Sequence, residues 1–218
     1  MSRRWRNEPF DRGIQVGVND IDPEFGVTRR RIERLRRAIE GRQPDLHLVL
    51  EEVDDPHNVS AVLRTCDAVG VGTVHFVYAN GRIPRLGKAS SASAWKWMEI
   101  EHHTSTSACY QRLRDLGCLI VATDLSDRAE LLYDLNLSRP VALVFGNEHR
   151  GVSPEASRLA DMNLLIPMTG LIQSLNISVA CAVVLYEAMR QRLADGRYDS
   201  PSLTEESIHA LLAEWARR

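Results

Sequence analysis

His47-Leu48-Val49-Leu50-Glu51-Glu52-Val53-Asp54-Asp55-Pro56-His57-Asn58-Val59-Ser60-Ala61-Val62-Leu63-Arg64-Thr65-Cys66-Asp67-Ala68-Val69-Gly70-Val71-Gly72-Thr73-Val74-His75-Phe76-Val77-Tyr78 decides the fold class. Residues 47–53 and 73–78 are apolar, strand-like runs, and residues 58–69 between them are long enough for a crossover helix. Strands joined this way pair in parallel, because a short turn cannot return the chain to the same edge in the same direction. The alternation continues outward, with further strand-like runs at 97–101, 119–125, 140–145 and 163–167 and helical stretches at 106–116 and 174–193. The prediction is an α/β core with helices on both faces of one mostly parallel sheet.

The chain ends are built differently. Residues 1–28 are rich in arginine and broken by Pro9, Pro23 and glycines, and read as an N-terminal extension. Thr28 caps a basic amphipathic helix in which Ile32, Leu35 and Ile39 recur at helical spacing, and Gly41 and Pro44 end it, giving an appendage over 29–44. The core then covers 45–195. Residues 196–218 are a polar linker and a last helix, which Thr204 caps and in which Glu206 and the terminal Arg217-Arg218 suit the helix dipole.

With 218 residues, 44% of them apolar, one core is expected. No run resembles a signal-peptide core, and the apolar stretch 177–185 is too short for a bilayer, so the expected location is the cytoplasm with no membrane association. Cys66, Cys109, Cys118 and Cys181 lack paired spacing and read as buried structural residues. His102-His103 reads as a solvated pair: neighbours on a strand point to opposite faces and no ligand trio accompanies them, so no metal is expected. The net charge of −2 divides unevenly: residues 1–42 hold 11 arginines against 7 acidic residues, so the remainder carries the acidic excess. Any RNA contact is therefore local, with residues 29–42 its candidate and a merely solvated helix face the alternative.

In open parallel sheets ligands bind beyond the carboxyl ends of strands. Four such junctions hold polar groups. Residues 51–58 lead into the helix bearing Arg64, with Asn58 a candidate N-cap. Thr123-Asp124-Leu125 ends another strand. Residues 145–154 form a glycine-bracketed loop around Glu148. Residues 166–176 join a strand to an apolar helix, with Ser174 either its cap or a functional group. A glycine-rich dinucleotide turn, a phosphate-binding P-loop and a nucleophile elbow are all missing from the sequence, which disfavours dinucleotide, nucleotide-hydrolysing and acyl-transfer enzymes.

Residues 56–70, then Gly146-Asn147-Glu148, then Ile166-Pro167-Met168 with Ser174-Leu175-Asn176-Ile177-Ser178-Val179-Ala180, resemble in order the three motifs of the SpoU/TrmH family of RNA ribose 2′-O-methyltransferases. The likeness is greatest to the members that modify the D-loop of tRNA. The resemblance implies the SPOUT fold, whose C-terminal segment is threaded into a trefoil knot, and a homodimer using S-adenosylmethionine. It places the cofactor on Thr123, Gly146, Ile166 and Leu175. It assigns the reaction to Arg64, with Asn58, Glu148, Ser174 and Asn176 around the ribose and phosphate. Its expected product is 2′-O-methylated guanosine 18 of tRNA. The alternatives are ribosomal RNA or a tRNA wobble position, or a non-catalytic RNA-binding module. Arg64 acts either as base or, more simply for a guanidinium, by gripping a phosphate and stabilising the developing alkoxide.

Overall fold

A computed structural model describes residues 20–81, 94–126 and 129–218. They form two compact units, residues 43–195 and residues 20–42 with 196–218.

The larger unit is built on seven strands in the order β3-β2-β1-β6-β4-β7-β5: β1 (Gln43–Glu51), β2 (Val71–Val77), β3 (Glu99–His103), β4 (Leu119–Thr123), β5 (Ala129–Leu131), β6 (Val141–Phe145) and β7 (Met162–Leu165). Every pairing is parallel. The central β6, Val-Ala-Leu-Val-Phe, is buried throughout, as a strand covered on both faces must be. Helix α3 (Thr106–Asp115) and the short α4 (Pro154–Leu159) pack together over the face carrying Val49, Val77, Ile120, Ala142 and Val144. Helices α2 (Pro56–Val69) and α5 (Ile177–Ala194) pack on each other.

The sequence expectation of a helix-flanked parallel sheet holds, with corrections of detail. The strand expected at 97–101 starts later, because residues Ala94–Trp97 wind into a 3₁₀ turn before β3. Residues 43 and 44, assigned to the basic helix, belong to β1. Strand β5 and helix α4 were not foreseen. Gly70, at φ 85°, closes α2 in the left-handed conformation that a glycine adopts without steric cost. All four cysteines are buried and unpaired.

Arg192, in the last turn of α5, is fully buried. Its guanidinium donates to Asp45 Oδ1 at 2.6 Å, Gln43 Oε1 at 3.2 Å and the carbonyls of Leu137, Arg139 and Asp45. The end of α5 is thereby tied to the start of β1 and to the approach to β6. Truncating one partner of a buried ion pair strands the other groups. Arg192→Ala is expected to lower unfolding free energy by about 3–5 kcal/mol in urea titrations, and a loss within about 0.5 kcal/mol, the range of ordinary surface changes, would contradict this placement.

The smaller unit joins helix α1 (Arg29–Glu40) to α6 (Glu205–Ala216), which the sequence reading set down as separate appendages. Thr28 accepts from the Arg31 amide and Thr204 from the Ser207 amide, so both expected caps are present. Arg36 pairs with Glu205, and the Arg42 guanidinium lies 5.5 Å from the Trp215 ring centroid. The N-terminal extension lies outside the described residues up to position 19. From there Ile21 and Thr28 bridge across a turn that leads into α1.

Candidate active site

Three strand ends converge on a cleft of about 510 Å³. Its walls come from the segments after β4, β6 and β7 and from the first turn of α5. Thr123, Gly146, Ile166 and Leu175 all line it, as do Glu148, Ser174 and Asn176. Asn58 and Arg64 stand on α2, outside that lining. The volume falls in the range of pockets that hold cofactor-sized molecules. Apolar Leu125, Ile166 and Leu175 beside exposed loop backbone offer a slot for an aromatic ring with polar groups at its rim.

The loop after β6 is made rigid by its own backbone. Asn147 and Gly151 exchange hydrogen bonds at 2.9 and 2.8 Å, closing residues 147–151 into a tight ring. Gly146 is packed under that ring: a Cβ there would stand 2.1 Å from Gly151 and Val152 backbone atoms. The buried Asn147 side chain pins the loop to the end of β1, donating to Glu52 O at 2.8 Å and Asp54 Oδ2 at 2.9 Å while accepting from the amides of His149 and Arg150. Glu52 itself adopts φ 51°, uncommon for a residue with a side chain, as the chain turns from β1 toward α2. Sequence reasoning gave Asn147 no role, although its place between Gly146 and Glu148 was visible. Buried Glu51 was missed too; it accepts from Thr106 Oγ1 at 2.6 Å and from both the amide and hydroxyl of Ser153, joining β1 to α3 and α4.

Glu148 reaches across to the start of α2. Its carboxylate accepts from the amides of Asp54 and Asp55 at 3.1 Å each and from Asn58 Nδ2 at 3.0 Å. Partial burial alone would raise its pKa. The hydrogen bonds from Asn58 and the backbone amides outweigh that and hold it below the usual glutamate value. An ionised carboxylate only accepts, so Asn58 must turn its NH2 toward Glu148 and its oxygen away. That oxygen accepts from Asn176 Nδ2 at 3.1 Å, and Asn176 Oδ1 in turn accepts from the Ser178 amide at 2.9 Å. One polarised chain therefore runs from α5 to α2 along the cleft rim.

These contacts correct two expectations. Asp55, not Asn58, caps α2, accepting from the His57 amide with Pro56 in the first turn. Asn176, not Ser174, caps α5, which starts at Ile177. Asn58 and Ser174 thus lose their capping alternative, and Asn176 combines a cap with a place in the site. Asn176→Ala is expected to cost about 1 kcal/mol of stability, read as a lower melting temperature, whereas Ser174→Ala leaves the melting temperature unchanged. Equal melting of the two variants would contradict this division. Thr123 donates to Val144 O at 3.0 Å, so its hydroxyl fixes the junction of β4 and β6. The Arg64 side chain is exposed, with no hydrogen bond or ion pair among the described residues.

The reading of His102-His103 as a solvated pair holds for His102, which is exposed, and is corrected for His103, which is largely buried. His102 stacks on Phe76, with centroids 5.7 Å apart. His103 points to the opposite face, as alternation requires, and there meets His75 and Cys109 in the trio that the sequence did not reveal.

The family model of the SpoU rRNA methylase family matches residues 45–186, and the chain belongs to that family. Among curated relatives, the tRNA (guanosine(18)-2′-O)-methyltransferase of Thermus thermophilus is 45% identical over 190 residues, covering 87% of this chain and 96% of that protein. The crystal structure of the Aquifex aeolicus TrmH/SpoU tRNA modifying enzyme superposes with a TM-score of 0.81 at 41% identity, covering 86% of this chain and 95% of the other. The SpoU methyltransferase AviRb from Streptomyces viridochromogenes, solved in complex with the cofactor AdoMet, matches at a TM-score of 0.61 and 25% identity, covering 68% and 58%.

Proposed function

We propose that the chain methylates the ribose 2′-oxygen of guanosine 18 in the D-loop of tRNA, using S-adenosylmethionine held in the cleft of Thr123, Gly146, Ile166 and Leu175. The observation that carries this reading is the polarised Glu148–Asn58–Asn176 chain on the rim of that cleft. The names of the Thermus and Aquifex relatives support tRNA as the substrate class, and the AdoMet complex of AviRb supports the methyl donor.

When bound, S-adenosylmethionine supplies an electrophilic methyl group on a sulfonium. The protein supplies position, which offsets roughly 7–11 kcal/mol of barrier when two reactants are locked in a near-attack geometry. The ring of residues 147–151 and the capped start of α5 keep the cleft walls fixed. Asn58 and Asn176 each retain a second N–H for the ribose or its phosphate, with their orientation set by Glu148. Glu148 already accepts three hydrogen bonds and is a poor base. Arg64 binds the adjacent phosphate with its planar fork and stabilises the developing alkoxide, while a phosphate oxygen or water takes the proton. No metal enters this reaction.

The same reading includes the trefoil knot, a cytoplasmic location and a homodimer. Helix α5 supports the dimer: residues 177–186 carry no charged side chain, yet Val179 and Tyr186 are about half exposed. Light scattering should give twice the chain mass, falling to one chain for Val179→Glu with Tyr186→Glu; a wild-type monomer would remove the dimer from the account. On α1, Arg31, Arg34 and Arg37 form an exposed basic stripe suited to RNA phosphates. Among the described residues no helix is long and apolar enough to cross a membrane.

The chemistry is tested by incubating the enzyme with unmodified tRNA and methyl-labelled S-adenosylmethionine, then hydrolysing the RNA in alkali. Ribose 2′-methylation blocks cleavage of the following phosphodiester, so label in alkali-resistant dinucleotides is expected. Label in mononucleotides would mean base methylation and would overturn the reading.

A further inference from the structure

Away from the cleft, three strands and one helix bring together side chains that methyl transfer does not use. In the parallel register of β2 and β3, His75 lies opposite Glu101 and Val77 opposite His103. His75, Glu101 and His103 therefore share the face that α3 covers with Cys109. His75 Nδ1 stands 3.0 Å from His103 Nε2. Glu101 Oε2 lies 3.6 Å from each of those nitrogens. Ligand atoms of His75, His103 and Cys109 all lie within 4.8 Å of one another.

We propose that His75, His103 and Cys109, completed by Glu101, bind one zinc ion. Tetrahedral zinc with bonds of about 2.0–2.3 Å sets its ligand atoms roughly 3.3–3.8 Å apart, so shifts of about an ångström bring His75, His103 and Cys109 to that spacing, and Glu101 turns in from beside the two imidazoles to complete the set. Two imidazoles, a thiolate and a carboxylate are a zinc-type donor set, and the two anionic ligands neutralise the dication in a largely buried place. Binding releases one proton, from the Cys109 thiol.

The surroundings match what a metal site needs. A ligating histidine donates its other ring N–H to an acceptor that fixes its tautomer, and His75 Nε2 faces His47 Nδ1 at 3.1 Å. Arg112 holds Glu101 by Oε1 at 3.3 Å, which leaves Oε2 turned to the imidazoles. Access exists along β3, the edge of the sheet among the described residues, where the Glu101 and His103 side chains are 25% and 12% exposed. A simple ladder of hydrogen-bonded histidines accounts for His47, His75 and His103, but not for the presence of the Cys109 thiol and the Glu101 carboxylate beside it. The site lies on the β1–β3 side of the sheet, so its role is structural.

The test uses untagged, chelator-stripped protein, loaded with zinc chloride, desalted and analysed for metal. One zinc per chain is expected. Cobalt loading should give a thiolate-to-cobalt charge-transfer band, absent in Cys109→Ser, and His103→Gln should weaken zinc binding at least about 100-fold, beyond the loss expected when only a ligand's outer partner is changed. Melting curves of the metal-free variants confirm that they are folded. His103→Gln, on the edge strand, serves if Cys109→Ser does not fold. Failure of the wild type to retain zinc, or equal retention by the folded variants, overturns the proposal.

Discussion

Replacing Arg64 with alanine should lower the rate of methyl transfer by about 10³-fold, the scale of losing a donor aimed at developing negative charge. S-adenosylmethionine should still bind with unchanged affinity. The second half of that expectation comes from geometry, because Arg64 stands on α2 six residues beyond Asn58 and outside the cleft lining. Single-turnover kinetics and calorimetric titration separate the two quantities. Arg64→Lys should fail almost as badly, since an ammonium cannot grip two phosphate oxygens as a planar fork does. A variant that lost cofactor binding, or one that kept near wild-type turnover, would show that Arg64 has been given the wrong part.

Gly146→Ala should have the opposite signature. A Cβ 2.1 Å from the Gly151 and Val152 backbone cannot be relieved by a rotamer change, so the ring of residues 147–151 must open. Overpacking of a core commonly costs about 1–3 kcal/mol, and backbone against backbone belongs at or above the top of that range. The loop carries both the cleft wall and Glu148, so S-adenosylmethionine affinity is expected to fall at least about 100-fold, with transfer lost as a consequence. A folded Gly146→Ala protein that binds the cofactor normally would mean that this loop does not shape the site.

The sequence disclosed the parallel core because its strands are apolar runs of ordinary length separated by helix-length segments. It did not disclose β5, whose Ala-Glu-Leu is three residues long with two exposed. It could have disclosed α4, since Ser153-Pro154-Glu155 is a cap, a first-turn proline and a first-turn acid in order. Strand order was out of reach: nothing local to β6 says that it lies between β1 and β4. The junction polar groups were legible as a set, yet their division of labour was not. Asn58 and Ser174 were both candidate caps, and only the contacts of Asp55 and Asn176 show which residues cap α2 and α5. The burial of Arg192 was not legible because the four residues to which it hydrogen-bonds lie more than fifty residues away along the chain. The nearness of His75 and Cys109 to His103 escaped notice for the same reason, since only the pairing of β2 with β3 and the packing of α3 bring them together.

The central claim is that this cleft and its rim place one particular ribose at the methyl donor. The most direct measurement maps the modified nucleotide in two unmodified transcripts, one carrying the natural D-loop and one with its guanosine 18 replaced by adenosine. The account predicts stoichiometric 2′-O-methylation at guanosine 18 in the first and none in the second. Methylation at a wobble nucleotide, or on ribosomal RNA with both transcripts left untouched, would contradict it.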